Sequence, residues 1–507
     1  MTGAMAQGVD WAAVAPPMLA AATALAVLVA DLWLPRRAAG VLTAISVGGT
    51  LAALVAVGLL WGDSRATFCV DSGTGALASC SYVVNPVTLV FQAIVLVGTL
   101  VVLLLVHTEI AAPADRRPLP GGETGFLVLS SATGALVLAA GRDLATIVVA
   151  LEVVSLPAFA LVGLRRRDRR DAEASLTFFV VSVIAVAVMI YGVSLVYGAT
   201  GALHLDRIAV ALEDPAARTS MAGAGVLLTL VGLAFKIGAV PFHFWVPDTY
   251  SGGPVVVAAY LAVVSKAAGL VGLVLVVSHG FPGYAGLWGP AIGVLAVVTM
   301  TVGNVAALRQ RTAIRLLAWS SIAHAGYLLV PLGVASTGTT GGQLGEAMSA
   351  TVAYMAIYAA LNLAAFGVVA VVSRHRPGAT LEDYRGLVHT EPVSAVVLAF
   401  ALLALAGLPP GVAGLWAKVV IIDAAVSGGA GWLAVAVAIN TVIGLVYYLR
   451  WTVLMFSAAP DRRAIPTYDV PAASGVAIGL AMAAGVAFSV LPQLAFGLAE
   501  AGSGILG

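Results

Sequence analysis

The strongest constraint on the fold is the repetition of apolar segments of about 20 residues, separated by short polar loops, along the whole chain. An α-helix of roughly that length crosses the hydrocarbon core of a bilayer, which is about 30 Å thick. Of the 507 residues, 61% are hydrophobic and only 10% are charged, whereas soluble domains carry about 25% charged residues. The alternating pattern of a transmembrane β-barrel does not occur. The sequence therefore predicts an all-α polytopic membrane protein.

The apolar segments predict about 14 transmembrane helices, named crossings 1 to 14 below. The first segment is too long for a signal peptide, and no cleavage site of small residues follows it, so it is read as crossing 1. Crossing 12 is too long for one straight helix and contains Gly-Leu-Pro-Pro-Gly, so a break within the membrane is expected. The predicted crossings are residues 13–34, 40–61, 84–107, 124–141, 143–164, 175–198, 222–246, 254–278, 287–308, 313–335, 346–373, 391–427, 430–455 and 471–498.

Crossings 4–8 and 9–13 are predicted to form two inverted five-helix repeats, because an odd number of helices inverts the second unit relative to the first. Crossings 7 and 12, which both contain proline, are predicted to be broken helices, and each is the fourth of its unit. Discontinuous helices at corresponding positions of two halves are typical of secondary transporters. The predicted units are 1–123 (crossings 1–3), 124–278 (first repeat), 287–455 (second repeat) and 456–507 (crossing 14).

Arginine placement predicts the orientation in the membrane. Of the 22 arginines, 18 follow odd-numbered crossings and four follow even-numbered crossings. Because cytoplasmic loops are enriched in Lys and Arg, the odd loops are expected in the cytoplasm and both termini outside. The basic run at 165–171 could bind anionic lipid or an acidic partner, although such a run is more often a cytoplasmic anchor. The 18 arginines that follow odd-numbered crossings are Arg36, Arg37, Arg116, Arg117, Arg165, Arg166, Arg167, Arg169, Arg170, Arg309, Arg311, Arg315, Arg374, Arg376, Arg385, Arg450, Arg462 and Arg463.

The only two cysteines, Cys69 and Cys80, lie in the loop after crossing 2, which this orientation places outside. An oxidising exterior permits a disulfide between them. Two buried free thiols are the alternative, but the loop is polar, so the disulfide is the preferred prediction.

All three lysines, Lys236, Lys266 and Lys418, lie inside apolar segments, whereas every arginine lies in a loop or near a helix end. A charge at the centre of a transmembrane helix costs about 2.5–3.5 kcal/mol. Arginine does not release its proton, whereas lysine can become neutral in a buried site. The alternative is a lysine that snorkels to the interface, but Lys266 is about twelve residues, or roughly 18 Å, from either end of its crossing. The division of basic residues therefore favours proton transfer.

Glu152 is the acidic residue that matches these lysines, because it lies in the middle of crossing 5. A carboxylate there needs a partner or must be protonated. Lys236 is the predicted partner, and movement of the carboxylate toward or away from it would switch the lysine between charged and neutral forms.

Prolines are expected to free backbone carbonyls near two of the lysines. Pro241 leaves the carbonyl of Ile237 without its helical donor, beside Lys236. Pro409 and Pro410 do the same for Leu405 and Ala406, upstream of Lys418. Unwound backbone at membrane depth is tolerated where it lines a hydrated cavity.

Other polar residues in the apolar segments are candidates for a proton path, each with a purely structural alternative. His324 either relays protons between the two halves or is a satisfied interhelical histidine. His243 either packs near the cytoplasmic end of crossing 7 or takes part in proton uptake. The polar residues of crossing 11 either join helices or line a water path. In the relay reading of His324, water is held by Ser320, Ser321 and Tyr327. The polar residues of crossing 11 are Tyr354, Tyr358 and Asn362, and Asp423 is a further candidate.

Several classes of function lack their sequence signals. There is no dinucleotide or Walker phosphate loop, and no Cys cluster for an iron–sulfur centre. There is no basic patch with interleaved aromatic residues for nucleic acid. The chain is expected to bind neither a redox cofactor nor a metal, so its energy must come from an ion gradient or from partner subunits.

The stretch Phe-Lys-Ile-Gly-Ala-Val-Pro-Phe-His-Phe-Trp-Val-Pro-Asp-Thr-Tyr-Ser-Gly-Gly-Pro, residues 235–254, resembles the signature of the antiporter-like subunits of respiratory complex I. That family includes subunits of multisubunit sodium/proton antiporters and of membrane-bound hydrogenases. Pro-Asp-x-Tyr-x-Gly-x-Pro followed by a lysine in crossing 8 is similar to the N-type subunits of bacterial NADH:quinone oxidoreductase. The resemblance covers nearly the whole chain, and the lack of a long C-terminal lateral helix argues against the L type.

The resemblance implies a proton-translocating subunit of a multisubunit enzyme, with no redox centre of its own. Glu152 and Lys236 match the paired residues of crossings 5 and 7, Lys266 the central lysine, Lys418 the lysine of the outward half, and His324 the crossing 10 region. It also implies the bacterial plasma membrane, lipid contacts, antiporter-like partners M and L, small subunits K, J, A and H, and a peripheral arm. NADH, FMN, iron–sulfur clusters and quinone would belong to partner subunits. The alternatives are a subunit of a gradient-driven cation/proton antiporter or hydrogenase, and an inert spacer.

Overall fold

The computed structural model describes residues 8–35, 39–70, 78–112, 118–165, 168–336, 341–376, 378–458 and 470–503. Within these ranges, 12 helices are long and apolar enough to cross a membrane. The two predicted crossings outside this group correspond to a helix of 17 residues and to a pair of 15-residue helices. The polytopic helical class is confirmed.

The N-terminal part has three long helices and a β-hairpin. The helices are α1 (Trp11–Trp33), α2 (Ala39–Leu59) and α3 (Pro86–Ile110). Strand β1 (Arg65–Val70) pairs antiparallel with β2 (Ser79–Val84), so the prediction of an all-α fold was wrong in the loop after crossing 2. This loop is rich in β-branched and aromatic residues, which favour strands. Cys69 lies opposite Cys80 in the hairpin, and the structure joins them by a disulfide.

Crossings 4–8 follow the N-terminal part of the chain. Crossing 7 is broken as predicted, but it extends to Gly252, because a second short helix follows the break. Crossing 8 is one continuous helical span from Val255 to Gly280, with π-helical turns at Leu261–Ser265 and Val276–Gly280. The α-helices of this region are α4 (Gly121–Ala140), α5 (Leu144–Val162), α6 (Arg169–Thr200), α7 (Leu205–Ala211), α8 (Ser220–Ile237), α9 (Trp245–Gly252), α10 (Val255–Tyr260) and α11 (Lys266–Leu275).

The region of crossings 9–13 also contains long helices and one broken crossing. Crossing 12 divides into two helices separated by residues 407–412, and Gly407, with φ of 90°, adopts the left-handed conformation that ends the first of them. The helices of this region are α12 (Ala285–Leu308), α13 (Ala313–Leu329), α14 (Gly341–His375), α15 (Leu387–Thr390), α16 (Pro392–Ala406), α17 (Ala413–Ser427) and α18 (Gly431–Phe456).

The C-terminal segment is not the single helix predicted as crossing 14. It forms α19 (Ala472–Val490) and α20 (Pro492–Ser503). Leu491 leaves the helical conformation between them, with φ of −124° and ψ of 72°. A residue before proline is disfavoured in the helical region, which explains the interruption. Helix α20 packs against α14.

Ion pairs join the loops on each of two opposite faces. On one face, Glu109 at the end of α3 lies 3.7 Å from Arg165 and 3.8 Å from Arg374. We call this the arginine-rich face, since it carries the described loops after odd-numbered crossings. On the opposite face, which carries the hairpin, Asp10 pairs with Arg65 at 3.2 Å. The hydrogen bond from the Ala13 amide, together with Arg65, lowers the pKa of Asp10. Eight of the arginines on which the predicted orientation rests lie outside the described residues: Arg36, Arg37, Arg116, Arg117, Arg166, Arg167, Arg462 and Arg463.

Candidate functional site

Lys236 lies in the last turn of α8 and is 1% exposed. The helix ends one residue later, where Gly238 takes a positive φ of 82° and the chain turns through Pro241 before α9. The ammonium nitrogen Nζ of Lys236 donates a hydrogen bond to Ser155 Oγ on α5, at 2.9 Å. Lys236 therefore cannot snorkel to an interface, and a neutral hydroxyl is its hydrogen-bond partner.

Glu152, the predicted partner of Lys236, is its electrostatic neighbour in the structure, although no ion pair within 4.0 Å joins the two among the described residues. Glu152 is half-buried on α5, and its Oε1 is buried without a hydrogen-bond partner in the same part of the chain. Ser155 lies three residues after Glu152, on the same side of α5. A change of side-chain rotamer could therefore move the ammonium group between the hydroxyl and the carboxylate.

Lys266 lies in the middle of its span, 3% exposed, directly after the π-helical turn at Leu261–Ser265. Single π-turns occur often at functional sites, where they redirect a side chain. Its Nζ donates to the backbone carbonyl and to the side-chain hydroxyl of Ser321 on α13. Nζ also lies 5.1 Å from the ring centroid of Tyr358 on α14. Lysine and tyrosine at such distances attract through the ring quadrupole.

Tyr358 connects the Lys266 group to α14. Its hydroxyl is 2.9 Å from Ser321 Oγ, donates to the carbonyl of Ala262 at 3.1 Å, and accepts from Asn362 at 3.0 Å. The Ala262 carbonyl belongs to the π-helical turn. The predicted residues Ser321, Tyr358 and Asn362 therefore form one buried hydrogen-bonded group around Lys266.

His324 lies at the centre of a second group and is 3% exposed. Its Nδ1 is 2.9 Å from the hydroxyl of Tyr354, and its Nε2 is 3.1 Å from the hydroxyl of Tyr448. Tyr448 in turn lies 2.5 Å from Ser320 Oγ. Along α13, His324 lies between Ser321, which contacts Lys266, and Tyr327, whose ring lies near Lys418.

Lys418 lies on α17 after the break in crossing 12 and is 5% exposed. Its Nζ donates to the carbonyls of Leu405 and Ala406, at 3.1 and 2.7 Å. These are the two carbonyls that the proline pair was expected to free. Nζ also lies 5.5 Å from the ring centroid of Tyr327. The lysine thereby caps the C-terminal end of α16 with a positive charge, as the helix dipole favours.

Two further candidates lie apart from these groups. Asp423 was predicted to belong to the path, and its side chain is exposed on α17, away from the buried groups. His243 is 5% exposed in the break after α8, where its ring lies 5.5 Å from that of Trp319. Its Nδ1 has no hydrogen-bond partner in the described ranges. The described residues hold no group of three or more His, Cys, Asp or Glu suited to a metal ion.

Sequence reasoning missed two residues that contact the buried groups. Ser155 could have been found from its spacing of three residues after Glu152. Tyr448 gives no comparable signal, because it is one of several aromatic residues within the long helix α18. Its role becomes visible only when α18 packs against α12 and α16 and brings its hydroxyl to His324.

The buried groups around the three lysines and His324 are close but are not joined by direct hydrogen bonds within the described residues. The stem of Lys236 packs on α11, since a Cβ added at Gly269 would lie 2.9 Å from Lys236 Cβ. Gly269 is one helical turn after Lys266. A proton could pass between groups only through water or through side-chain movement, since proton transfer requires hydrogen-bond reach.

The profile of the family described as NADH:quinone oxidoreductase/Mrp antiporter, TM, matches residues 141–444. NADH-quinone oxidoreductase subunit N 2 of Streptomyces griseus is 53% identical, over 96% of this chain and 92% of the relative. The chain belongs to the complex I subunit N family. A chain of respiratory complex I from Thermus thermophilus is 30% identical with a TM-score of 0.76, over 95% of this chain and 98% of that one. Outside the subunit N family, a chain of the Mrp complex from Dietzia shares the fold, at 20% identity, a TM-score of 0.80 and 97% coverage of both chains.

Proposed function

We propose that this chain moves protons across the bacterial plasma membrane as the N-type subunit of the membrane arm of NADH:quinone oxidoreductase. The observation that carries the proposal is the burial of Lys236, Lys266 and Lys418, which are 1%, 3% and 5% exposed and have only hydroxyls or carbonyls as hydrogen-bond partners. Three buried cations without a directly paired anion are costly, so an inert structural role is disfavoured. A role in proton transfer explains why the chain keeps three such lysines.

The proposed architecture has about 14 crossings, with crossings 4–8 and 9–13 as inverted repeats. The proposed orientation has the arginine-rich face in the cytoplasm and both termini outside, according to the positive-inside rule. The chain would carry no redox centre. NADH, FMN, iron–sulfur clusters and quinone would belong to partner subunits, among them M, L, K, J, A, H and the peripheral arm, with lipid around the exposed apolar faces.

In the proposed cycle, quinone reduction in other subunits drives charge movement along the membrane arm. Lys236 takes a proton from the cytoplasmic side, Lys266 and His324 pass it on, and Lys418 releases it outward. Glu152 acts as the switch, because a carboxylate that approaches Lys236 favours the charged lysine and one that departs favours its neutral form. The geometry supports this role, since Ser155 and Glu152 are both within one turn of α5 beside Lys236.

The test is proton pumping by the assembled complex in vesicles. Lys236→Ala and Glu152→Gln should lower the number of protons pumped per NADH oxidised. Asp423→Asn is the matched control, because it also removes a carboxylate from a membrane helix but lies outside the buried groups. Wild-type pumping by both Lys236→Ala and Glu152→Gln would refute the proposal.

The alternative function, a gradient-driven antiporter, is favoured by the fold shared with the Mrp complex. Purification distinguishes the two. Co-purification of the chain with subunits that carry flavin and iron–sulfur clusters supports the complex I assignment. Isolation of a stable complex without them, with cation-dependent proton exchange, supports the antiporter.

A further inference from the structure

Helix α9 is the short second half of the broken crossing 7 and has eight residues. Isolated helices shorter than about 12 residues are marginally stable, so the position of α9 depends on contacts with its neighbours. Gly252, at its end, approaches α6 so closely that an added Cβ would clash with the side chain of Ala174. Tyr250 packs on Phe366 of α14, with ring centroids 6.0 Å apart. Helix α9 therefore contacts helices of crossings 4–8 and of crossings 9–13.

An ion pair on the arginine-rich face also joins α9 to α13. Nη1 of Arg315, in the first turn of α13, donates to Asp248 Oδ1 at 3.1 Å and to Ser251 Oγ at 3.4 Å. Asp248 and Ser251 both lie on α9, about one turn apart. A cation in the first turn of a helix opposes the helix dipole. The stability of α13 itself therefore does not explain an arginine at this position.

The two helices that this ion pair joins support the Lys236 and Lys266 groups. At the start of α9, the buried Trp245 donates from Nε1 to the carbonyl of Phe235 at 3.1 Å. Phe235 directly precedes Lys236 in the last turn of α8. Helix α13 carries Ser321, whose hydroxyl accepts from Lys266 Nζ at 2.7 Å. A shift of α9 relative to α13 would therefore change the spacing between the two lysine groups.

We propose that Arg315 is a positioning residue for proton transfer between the Lys236 and Lys266 groups, because it fixes α9 to α13. The proposal rests on the proton-moving function above and gives a role to the aspartate of Pro-Asp-x-Tyr-x-Gly-x-Pro, residues 247–254. In the transfer, the Lys236 ammonium loses one proton and neutral Lys266 gains one. Small misplacements of the reacting groups slow such a step.

The exposure of the ion pair separates positioning from stability. The side chains of Arg315 and Asp248 are 40% and 60% exposed. An ion pair with this much exposure contributes little to the stability of a protein. Its loss should therefore slow the transfer while the chain still folds and assembles.

The first experiment compares Arg315→Gln with Arg385→Gln in the assembled complex in vesicles. Arg385 is a matched control, because it pairs on the same face with Glu382 at 2.7 Å and is 32% exposed, but both residues lie in the loop after α14. Arg315→Gln should lower the rate of proton pumping about twofold to fivefold, the range that one exposed ion pair allows. Arg385→Gln should pump at the wild-type rate. Equal pumping by Arg315→Gln, Arg385→Gln and the wild type would overturn the proposal.

The second experiment tests whether Arg315 acts through Asp248. Asp248→Asn, Arg315→Gln and the double variant should slow pumping to the same extent, because two residues that act through one interaction are not additive. Effects that multiply in the double variant would refute the pairing. Salt screens exposed ion pairs, so high salt should slow the wild type and Arg385→Gln toward the rate of Arg315→Gln. An equal response to salt in all three would also refute it.

Lys236→Ala separates the positioning role from the wider function. Loss of pumping in Lys236→Ala with wild-type pumping in Arg315→Gln rejects the positioning role and leaves the proposed function intact. Normal pumping in Lys236→Ala, Lys266→Ala and Glu152→Gln together rejects the proposed function itself.

Discussion

Replacing Gly269 with alanine tests how tightly Lys236 must be held for proton transfer. The added Cβ would lie 2.9 Å from Lys236 Cβ and 3.0 Å from Lys236 Cγ, whereas carbon atoms prefer separations of about 3.5–4.0 Å. The lysine stem is fixed to α8 at its Cβ, so relief requires α8 and α11 to move apart. Overpacking of this kind costs about 1–3 kcal/mol.

We expect the same movement to displace Lys236 Nζ from Ser155 Oγ on α5, which it now contacts at 2.9 Å. A hydrogen bond from a charged group contributes about 1.5–3 kcal/mol. If that amount is lost where the proton is transferred, the rate falls by about tenfold or more, since each 1.36 kcal/mol is a factor of ten. We therefore expect Gly269→Ala to slow coupled pumping by at least about tenfold.

Gly272→Ala provides the control on the same helix. Its Cβ would lie 2.9 Å from Leu233 Cδ2, also on α8, but it would contact no lysine. Both variants should be measured for assembly, for NADH-driven proton uptake into vesicles and for quinone reduction. The reasoning is refuted if Gly269→Ala assembles and pumps as well as Gly272→Ala.

Three further predictions address the other groups. Lys418→Arg should assemble and fail to pump, because arginine keeps the charge near Leu405 and Ala406 but does not release a proton. Proton pumping in vesicles, with a gel to check assembly, tests this prediction, and normal pumping would contradict it. Tyr448→Phe should lower pumping with little loss of stability, because it removes the hydroxyl between His324 and Ser320. Tyr447→Phe is the control variant, because it loses a hydrogen bond to Asn304 instead. Replacing Cys69 and Cys80 with serine should destabilise the hairpin by about 2–4 kcal/mol, given their sequence separation of 11. Proteolysis at the hairpin should become faster while proton pumping stays unchanged. A fall in pumping would link the hairpin to transport.

The burial of the lysines could be predicted from sequence because a charge inside an apolar segment admits few explanations. The carbonyls of Leu405 and Ala406 could also be predicted, since proline removes a specific donor, and Lys418 is their partner in the structure. Features that follow from covalent structure, such as the donor missing at proline, or from the cost of burying a charge can therefore be predicted from sequence.

The facing of each helix could not be predicted in the same way. A membrane helix is apolar on all sides, so the pattern of apolar residues does not show which side is turned inward. Asp423 illustrates this, because it looked like a path residue but is exposed on α17. Tyr448 is the opposite case, because it was not predicted as a path residue but is buried against His324. The π-helical turn before Lys266 also has no sequence signal, although it sets where the lysine points.

The separation of the lysine groups is itself a mechanistic argument. A continuous hydrogen-bonded chain from Lys236 to Lys418 would let protons leak down their gradient without quinone reduction. In the described structure, Lys266 is bonded to Ser321, and His324 to Tyr354 and Tyr448, without a direct bond between the two sets. Transfer between them then depends on water or on rotamer changes, and both respond to nearby charge. An energy-coupled pump needs gaps that open only when a charge changes, and buried lysines separated by hydroxyl groups supply them.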